Sequence, residues 1–326
     1  MPTVRVRQAY LLSVFTGAVI AGDGIGQGAY AHGIAGNRYF PGTLTFDDPA
    51  VADEWPTEVS SFKHSAGDGT DVTDKEVTSA FSRLLTPTLL VGIDTGWTER
   101  SRGGFPSQAG PDVTNLNLKT LVYENDPHET LISASFTWGI AHSGSRAIGA
   151  DQAATLQPGL FFGRGFGDFP DSFSWLRPFA IAGAVTPEFA TSHTSTVSAA
   201  TPGEQSAPVL TTRTPNIFHW GLALEFSTLY LTDRFTGGQP KEEPLHQFVP
   251  LVEFPFDTPF GAGSNGRTVA TMNPGLSYVA DTWQLAVAAI VPLNREAGRG
   301  VGIRAQVLFF LDDLVPALFG QPLLSH

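Results

Sequence analysis

The chain has 326 residues, a formal net charge of −12, 42% hydrophobic residues, only 15% charged residues and no cysteine. The missing cysteines exclude a disulfide framework and thiolate metal sites. The acidity argues against nucleic acid as a partner, because phosphate contacts need clustered Lys and Arg. The 35 glycines and 24 prolines exclude a fold built on long helices.

The first thirty residues read as an export signal. Arg5 and Arg7 form a positive n-region, an apolar stretch of about 14 residues runs from Ala9 to Gly22, and Ala29-Tyr30-Ala31 offers small residues at the two positions a signal peptidase reads. Residues 1–31 are therefore expected to be removed, with His32 the first mature residue. That cleavage takes away Arg5, Arg7 and Asp23, leaving the mature chain one unit more negative. The apolar stretch is short of the roughly 20 residues a spanning helix needs, and no later segment approaches that length. Residues 32–56, with Asp47-Asp48-Pro49 and Asp53-Glu54-Trp55-Pro56, show no periodicity and are expected either in the periplasm or folded into a lumen.

From residue 57 the pattern has period 2 over long segments. In 130–142, Ile132, Ala134, Phe136, Trp138 and Ile140 oppose Ser133, Ser135, Thr137 and Gly139. In 216–231, Phe218, Trp220, Leu222, Leu224, Phe226 and Tyr230 oppose His219, Gly221, Ala223, Glu225 and Ser227. Residues 246–257 and 114–123 alternate in the same way. Strands of soluble sandwiches usually run nearer 5–6 residues, whereas a transmembrane barrel strand needs about 9–11, apolar toward lipid and polar or small toward the lumen. The pattern predicts an all-β, antiparallel up-and-down transmembrane barrel over residues 57–311. Its strands number about twelve: 57–65, 75–84, 88–98, 114–123, 130–141, 155–165, 175–190, 215–231, 247–257, 268–279, 283–293 and 300–311. The first two and 155–165 alternate poorly.

An even strand count lets both termini lie in the periplasm. The connections near 66–74, 99–113, 142–154, 191–214, 258–267 and 294–299 are then extracellular and the others periplasmic, with 232–246 long for an inner turn. Trp97, Tyr123, Trp138, Trp175, Tyr230, Tyr278 and Trp283 lie near strand ends, where interfacial aromatic girdles belong.

The acidic, Pro-containing lead-in, the repeated apolar strands and the closing stretch GVGIRAQVLFFLDDL (300–314) resemble outer-membrane proteins of the phenol meta-pathway degradation family of putative transporters. The resemblance implies a barrel that admits small, often aromatic, solutes. The closing stretch also resembles the C-terminal signal read by barrel-assembly machinery, with Val307 and Phe309 in the apolar series. The chain departs from that pattern by continuing through a tail, residues 312–326, instead of ending on the aromatic.

Alternation places Asp94, Asn117, Lys119, His219, Glu225, Glu253, Asn273, Arg304 and Gln306 toward the lumen. They form either a polar path for a solute or a set of paired charges that fills the barrel, since twelve strands lie between filled eight-stranded barrels and open porins. Function is therefore expected to be passage of a small solute across the outer membrane. The alternatives are a structural or surface-adhesive barrel and, third, an outer-membrane lipid hydrolase. Against the hydrolase, His142 and Ser145 are three residues apart and would face opposite ways on a strand. The eight histidines show no metal-ligand spacing, the Asp68, Asp71, Asp74 run reads as a solvated loop, and the glycines of 159–167 lack the strand-to-helix turn a nucleotide site needs. No cofactor is expected. The expected partners are outer-membrane lipid, barrel-assembly machinery and the solute.

Overall fold

A computed structural model of the chain describes residues 33–36, 38–65, 71–198, 209–228, 230, 247–261 and 264–324. The expected signal peptide, the cleavage site and all of 232–246 lie outside these residues.

Twelve long strands form the wall. They are β1 (Glu54–Ser65), β2 (Asp71–Thr86), β3 (Leu89–Arg102), β4 (Asn115–Asn125), β5 (Thr130–Gly139) and β6 (Thr155–Gly165). They continue with β7 (Phe179–Ala190), β8 (Asn216–Phe226), β9 (Gln247–Phe260), β10 (Val269–Val279), β11 (Trp283–Pro292) and β12 (Gly302–Phe310). Each pairs antiparallel with the next, and β12 pairs back onto β1 from Ile303↔Ser61 to Phe310↔Glu54. The closure satisfies every wall strand on both sides and leaves no sheet edge facing lipid.

Boundaries differ from the sequence expectation at particular places. β2 begins at Asp71 instead of 75, because residues 71–74 continue the ladder with Phe62–Ser65. The segment expected from 175 starts only at Phe179: residues 171–176 form a short 3-10 helix bracketed by Pro170 and Pro178, which cannot donate to a ladder. The segment expected to reach 231 ends at Phe226, and Tyr230 leaves the wall. Beyond β3, residues 108–111 add a four-residue strand, and residues 194–198 and 209–213 pair as a hairpin.

Outward positions carry the apolar set. On β8, Phe218, Trp220, Leu222 and Leu224 are exposed, while Ile217, His219, Ala223 and Glu225 are buried. At one end a run of aromatics crosses five strands: Trp55 against Phe309, Trp283 paired with Phe309, Tyr278 against Trp283, and Phe248 against Tyr278. At the other end Trp97 and Trp138 stand exposed, as an interfacial belt requires. Tyr230, expected in a girdle, instead lies against Arg38 inside the barrel mouth.

The tail does not project. After Phe310 it makes two four-residue helical turns and folds back on β2, where the N–H groups of Leu323 and Leu324 bond the carbonyls of Leu84 and Leu85. Arg83 ties it down further through the carbonyls of Leu318 and Gln321, at 2.9 and 2.7 Å. Leu314, Leu318, Leu323 and Leu324 remain exposed beside the aromatic run.

Residues 33–36 and 38–53 lie inside the barrel. They enter at the end where β1 starts and β12 finishes, reach mid-depth at Leu44–Phe46, and return to Asp53. Tyr39, Phe40, Leu44 and Phe46 are almost fully buried. Each such side chain contributes roughly 1.5–3 kcal/mol by leaving water.

Candidate functional site

The internal segment sits against small inward side chains. Phe46 packs with Phe161, Ala182, Ala184 and Ala223, and Leu44 with Leu251, Ala286 and Ala288. Two inward glycines leave the room it needs. A Cβ at Gly163 would lie 2.8 Å from Phe40 Cε1, and one at Gly221 would lie 2.8 Å from Phe46 Cδ1.

Inward polar side chains then bind the segment's backbone and charges. Gln284 receives the Gly42 N–H at 3.1 Å and the Tyr39 hydroxyl at 2.8 Å, and donates to the Gly42 carbonyl at 2.8 Å. Leu44 N–H donates to Glu253 Oε1 at 2.7 Å, while Arg304 donates to the Leu44 carbonyl. Gln306 donates to the Thr43 carbonyl at 3.2 Å. Lys119 Nζ reaches Asp47 Oδ2 at 2.5 Å and the Asp48 carbonyl at 2.6 Å. At the entry end Asp53 accepts from Arg83 at 2.6 Å and from Leu84 N–H at 2.7 Å. Beneath the segment Arg38, 1% exposed, pairs with Glu129 at 3.2 Å and lies 4.2 Å from the Tyr230 ring centroid. Its guanidinium also donates to the carbonyls of Arg177, Pro178 and Phe179 at 2.6, 3.0 and 3.3 Å.

All nine residues nominated from alternation are buried inside the wall. They do not form one set. Asp94, Lys119 and Gln306 line a cavity of about 130 Å³ between the internal segment and a wall made chiefly by β1, β2 and β3, which the segment touches at the entry end, where Val51 packs on Ala80, Leu84 and Leu90. Asn117 supports it by donating to Asp94 at 2.6 Å, beside Asn115 at 2.7 Å. Arg304 pairs with Glu58 at 2.9 Å behind it. Glu225, Glu253 and Asn273 lie on the opposite wall and do not line it, nor does His219, whose Nδ1 is 2.5 Å from Asp257 Oδ1. Asp94 and Lys119 stand on adjacent strands but do not pair: the register sets Asp94 opposite Asn115 and Lys119 opposite Leu90, four positions away, and Lys119 turns to the internal segment.

The cavity follows the wall along its height. Its lining on β3 runs from Leu90 near the entry end to Arg100 near the loop end, which is about 33 Å of strand at roughly 3.3 Å per residue. Three lining residues that sequence reasoning passed over are Glu54, Glu58 and Glu76, on the strands that alternated poorly. Asp112, Glu188 and the segment's Asp47 and Asp48 join them, so with Asp94 the lining holds eight carboxylates against two basic side chains, Arg100 and Lys119. Arg100 is already engaged by Asp74, at 2.5 and 2.7 Å. That bridge also removes Asp74 from any loop ion site.

The hydrolase geometry does not form. Ser145 Oγ accepts from Ala147 N–H, and His142 Nδ1 faces Gln152 Oε1 at 3.4 Å.

A closed antiparallel barrel with an apolar outer band, two aromatic belts and a polar lumen defines the class: the outer-membrane β-barrel fold. Comparison with solved structures agrees. An outer membrane channel from Pseudomonas putida F1 superposes with a TM-score of 0.51 at 9% identity, over 79% of this chain and 95% of the channel. The KdgM porin gives 0.44 at 12% identity over 78% and 98%, and the beta domain of the Bordetella autotransporter BrkA gives 0.47 at 12% over 79% and 98%. At 9% identity the likeness to the channel is one of fold. No family model and no curated protein matches the chain.

Proposed function

We infer that the protein is an outer-membrane channel through which a small solute passes between the internal segment and the β1–β3 wall. The observation that carries the reading is the polar cavity that follows this wall from Leu90 to Arg100 while the opposite wall is packed shut. Charged and polar linings of this kind select what enters a pore. With the signal peptide directing export, the entry end faces the periplasm and the long connections face outward. The resemblance to the phenol meta-pathway family brings aromatic solutes into consideration. The lining contains a single aromatic side chain, Phe46, among the described residues, which favours polar solutes over aromatic ones.

The absence of native cysteine gives a direct test. Thr78 lines the cavity at mid-depth, and its neighbour Val77 faces outward, 47% exposed. In planar bilayers the native chain should show discrete conductance. A Thr78→Cys channel should lose most of it on reaction with a charged, thiol-specific methanethiosulfonate, and a Val77→Cys channel should not. A native protein without conductance, or a Thr78→Cys channel indifferent to the reagent, rejects the path.

A further inference from the structure

We propose that the cavity along β1–β3 is selective for compact organic cations, of the primary alkylammonium type. This rests on reading the lumen as a solute path and names what that path takes.

Three observations carry it. The first is charge. Eight carboxylates line a narrow space whose two basic side chains are each held by an aspartate: Arg100 by Asp74 and Lys119 by Asp47. Asp94 accepts from the neutral amides of Asn115 and Asn117, and Glu76 from the Ser60 hydroxyl at 3.5 Å. The second is an unused acceptor. Glu58 is 3% exposed and lines the cavity; its Oε1 pairs with Arg304, while its Oε2 has no hydrogen-bond partner. A buried carboxylate oxygen without a donor is costly, and an N–H-bearing cation in the cavity supplies that donor. Glu58 and Glu76 lie diagonally across the β1–β2 ladder, where Glu58 faces Thr78 and Ser60 faces Glu76, so one ammonium between them meets both.

The third observation concerns size and spacing. A cavity of about 130 Å³ drawn out along the wall is well below the roughly 300–1,000 Å³ of drug-sized pockets, so the solute is slender. Among the described residues no three His, Asp or Glu converge closely enough to chelate a metal ion. The carboxylates are strung out along the path, an arrangement suited to a cation handed from one to the next, in which each site binds weakly enough to release.

The test uses the full-length protein in detergent and in bilayers, with n-butylammonium and butyrate as matched probes. Calorimetry should show n-butylammonium binding at least tenfold more tightly than butyrate. Glu76→Gln and Asp94→Asn should each weaken it by about three- to tenfold, since a tenfold change corresponds to only about 1.4 kcal/mol. Glu296→Gln, the same change on an exposed outer connection, should leave it unaltered. Glu58→Gln also disturbs Arg304, so it is read only if the variant keeps native strand content by circular dichroism. Reversal potentials in a salt gradient should show cation preference that falls in Glu76→Gln. Conductance without cation preference, and equal binding of the two probes, overturns the proposal while leaving the channel intact. Selective n-butylammonium binding without conductance upholds the cation site and defeats transport.

Discussion

Replacing Arg38 with Met should unseat the internal segment while leaving the barrel closed. Arg38 is the most heavily tethered residue of that segment, with an ion pair, three backbone carbonyls and an aromatic face around one buried guanidinium. Met keeps much of the stem's volume and removes every donor. Glu129 retains the Gly167 N–H at 3.0 Å and the Tyr230 hydroxyl, so the wall loses little. Breaking a buried pair by removing one partner costs about 3–5 kcal/mol. At about 1.4 kcal/mol per tenfold, the seated-to-displaced ratio should fall by roughly two to three orders of magnitude. Single-channel recording reads this directly: long, larger conductance steps should replace the small native ones and interconvert with them. Unchanged steps in Arg38→Met, with strand content and detergent stability equal to native, would refute the view that Arg38 holds the segment in place.

Leu222, 45% exposed on β8, should resist change to Arg by roughly 2–4 kcal/mol at the bilayer midplane, measured by urea unfolding in lipid. Ser135→Arg should insert normally yet displace the internal segment, because Ser135 is 1% exposed and opposite Lys119, where a second, larger cation has no space and competes for Asp47; equal insertion defects in both variants would show the register to be wrong. Mass spectrometry of protein from outer-membrane fractions should give His32 as the first residue, and a chain beginning at Met1 contradicts export by cleavage. Burial and the neighbouring Asp313 raise the Asp312 carboxyl to about 7. An acid raised in the folded state favours the docked tail when protonated, so that contribution is present at low pH and lost as pH rises through about 7. Protease cleavage within 311–324 should therefore increase between pH 5.5 and 8.5, and Asp312→Asn should flatten the dependence.

The wall was legible in the sequence because lipid and lumen impose opposite demands on alternate residues, and β5, β8 and β9 follow them closely; the inward Leu131, Ile217, Val249 and Leu251 depart from the pattern, three of them packing in interior clusters. The segments that alternate poorly do so for reasons located elsewhere in the chain. In β6 the inward positions include Phe161 and Gly163, a large ring and an empty site, because Phe46 and Phe40 press on them from inside. In β1 and β2 the inward side is acidic, and polar residues such as Lys63 and Lys75 stand outside. The internal segment had no periodic signature at all. Its bonds to the wall reach partners 30 to 263 residues away, from Arg83 to Gln306, and local pattern cannot encode them. A trace was nevertheless present: Gly163, Gly221, Ala182, Ala223, Ala286 and Ala288 sit where a lumen filled only by its own wall would need bulk. Paired with the buried aromatics of a lead-in that adds no strand to the wall, those vacant inward positions are the sequence signature of a filling segment.

The same asymmetry decides where the path lies. Phe40, Leu44 and Phe46 gain most by packing on the small, apolar inward faces of β6, β7, β8 and β11, where contact removes hydrocarbon from water. Seating the segment's apolar side chains on β1, β2 and β3 would press hydrocarbon against Glu58, Glu76 and Asp94, and an ionised carboxylate held there without a partner costs several kcal/mol. The segment carries only one cation in its described residues, Arg38, and spends it on Glu129 at the entry end. Apart from Val51 on Ala80, Leu84 and Leu90 and Asp53 on Arg83, both at the entry end, it therefore has nothing to offer the acidic wall, and its middle lies across the lumen from those carboxylates. A gap along β1–β3 follows from charge and hydrophobicity together. Supplying the segment with a cation that reaches that wall should close it: Thr43, whose residue lines the cavity, changed to Lys should lower conductance several-fold, and Thr43→Lys combined with Glu76→Gln should recover part of the loss. If Thr43→Lys leaves conductance unaltered, the unpaired charge of the β1–β3 wall is not what keeps the gap.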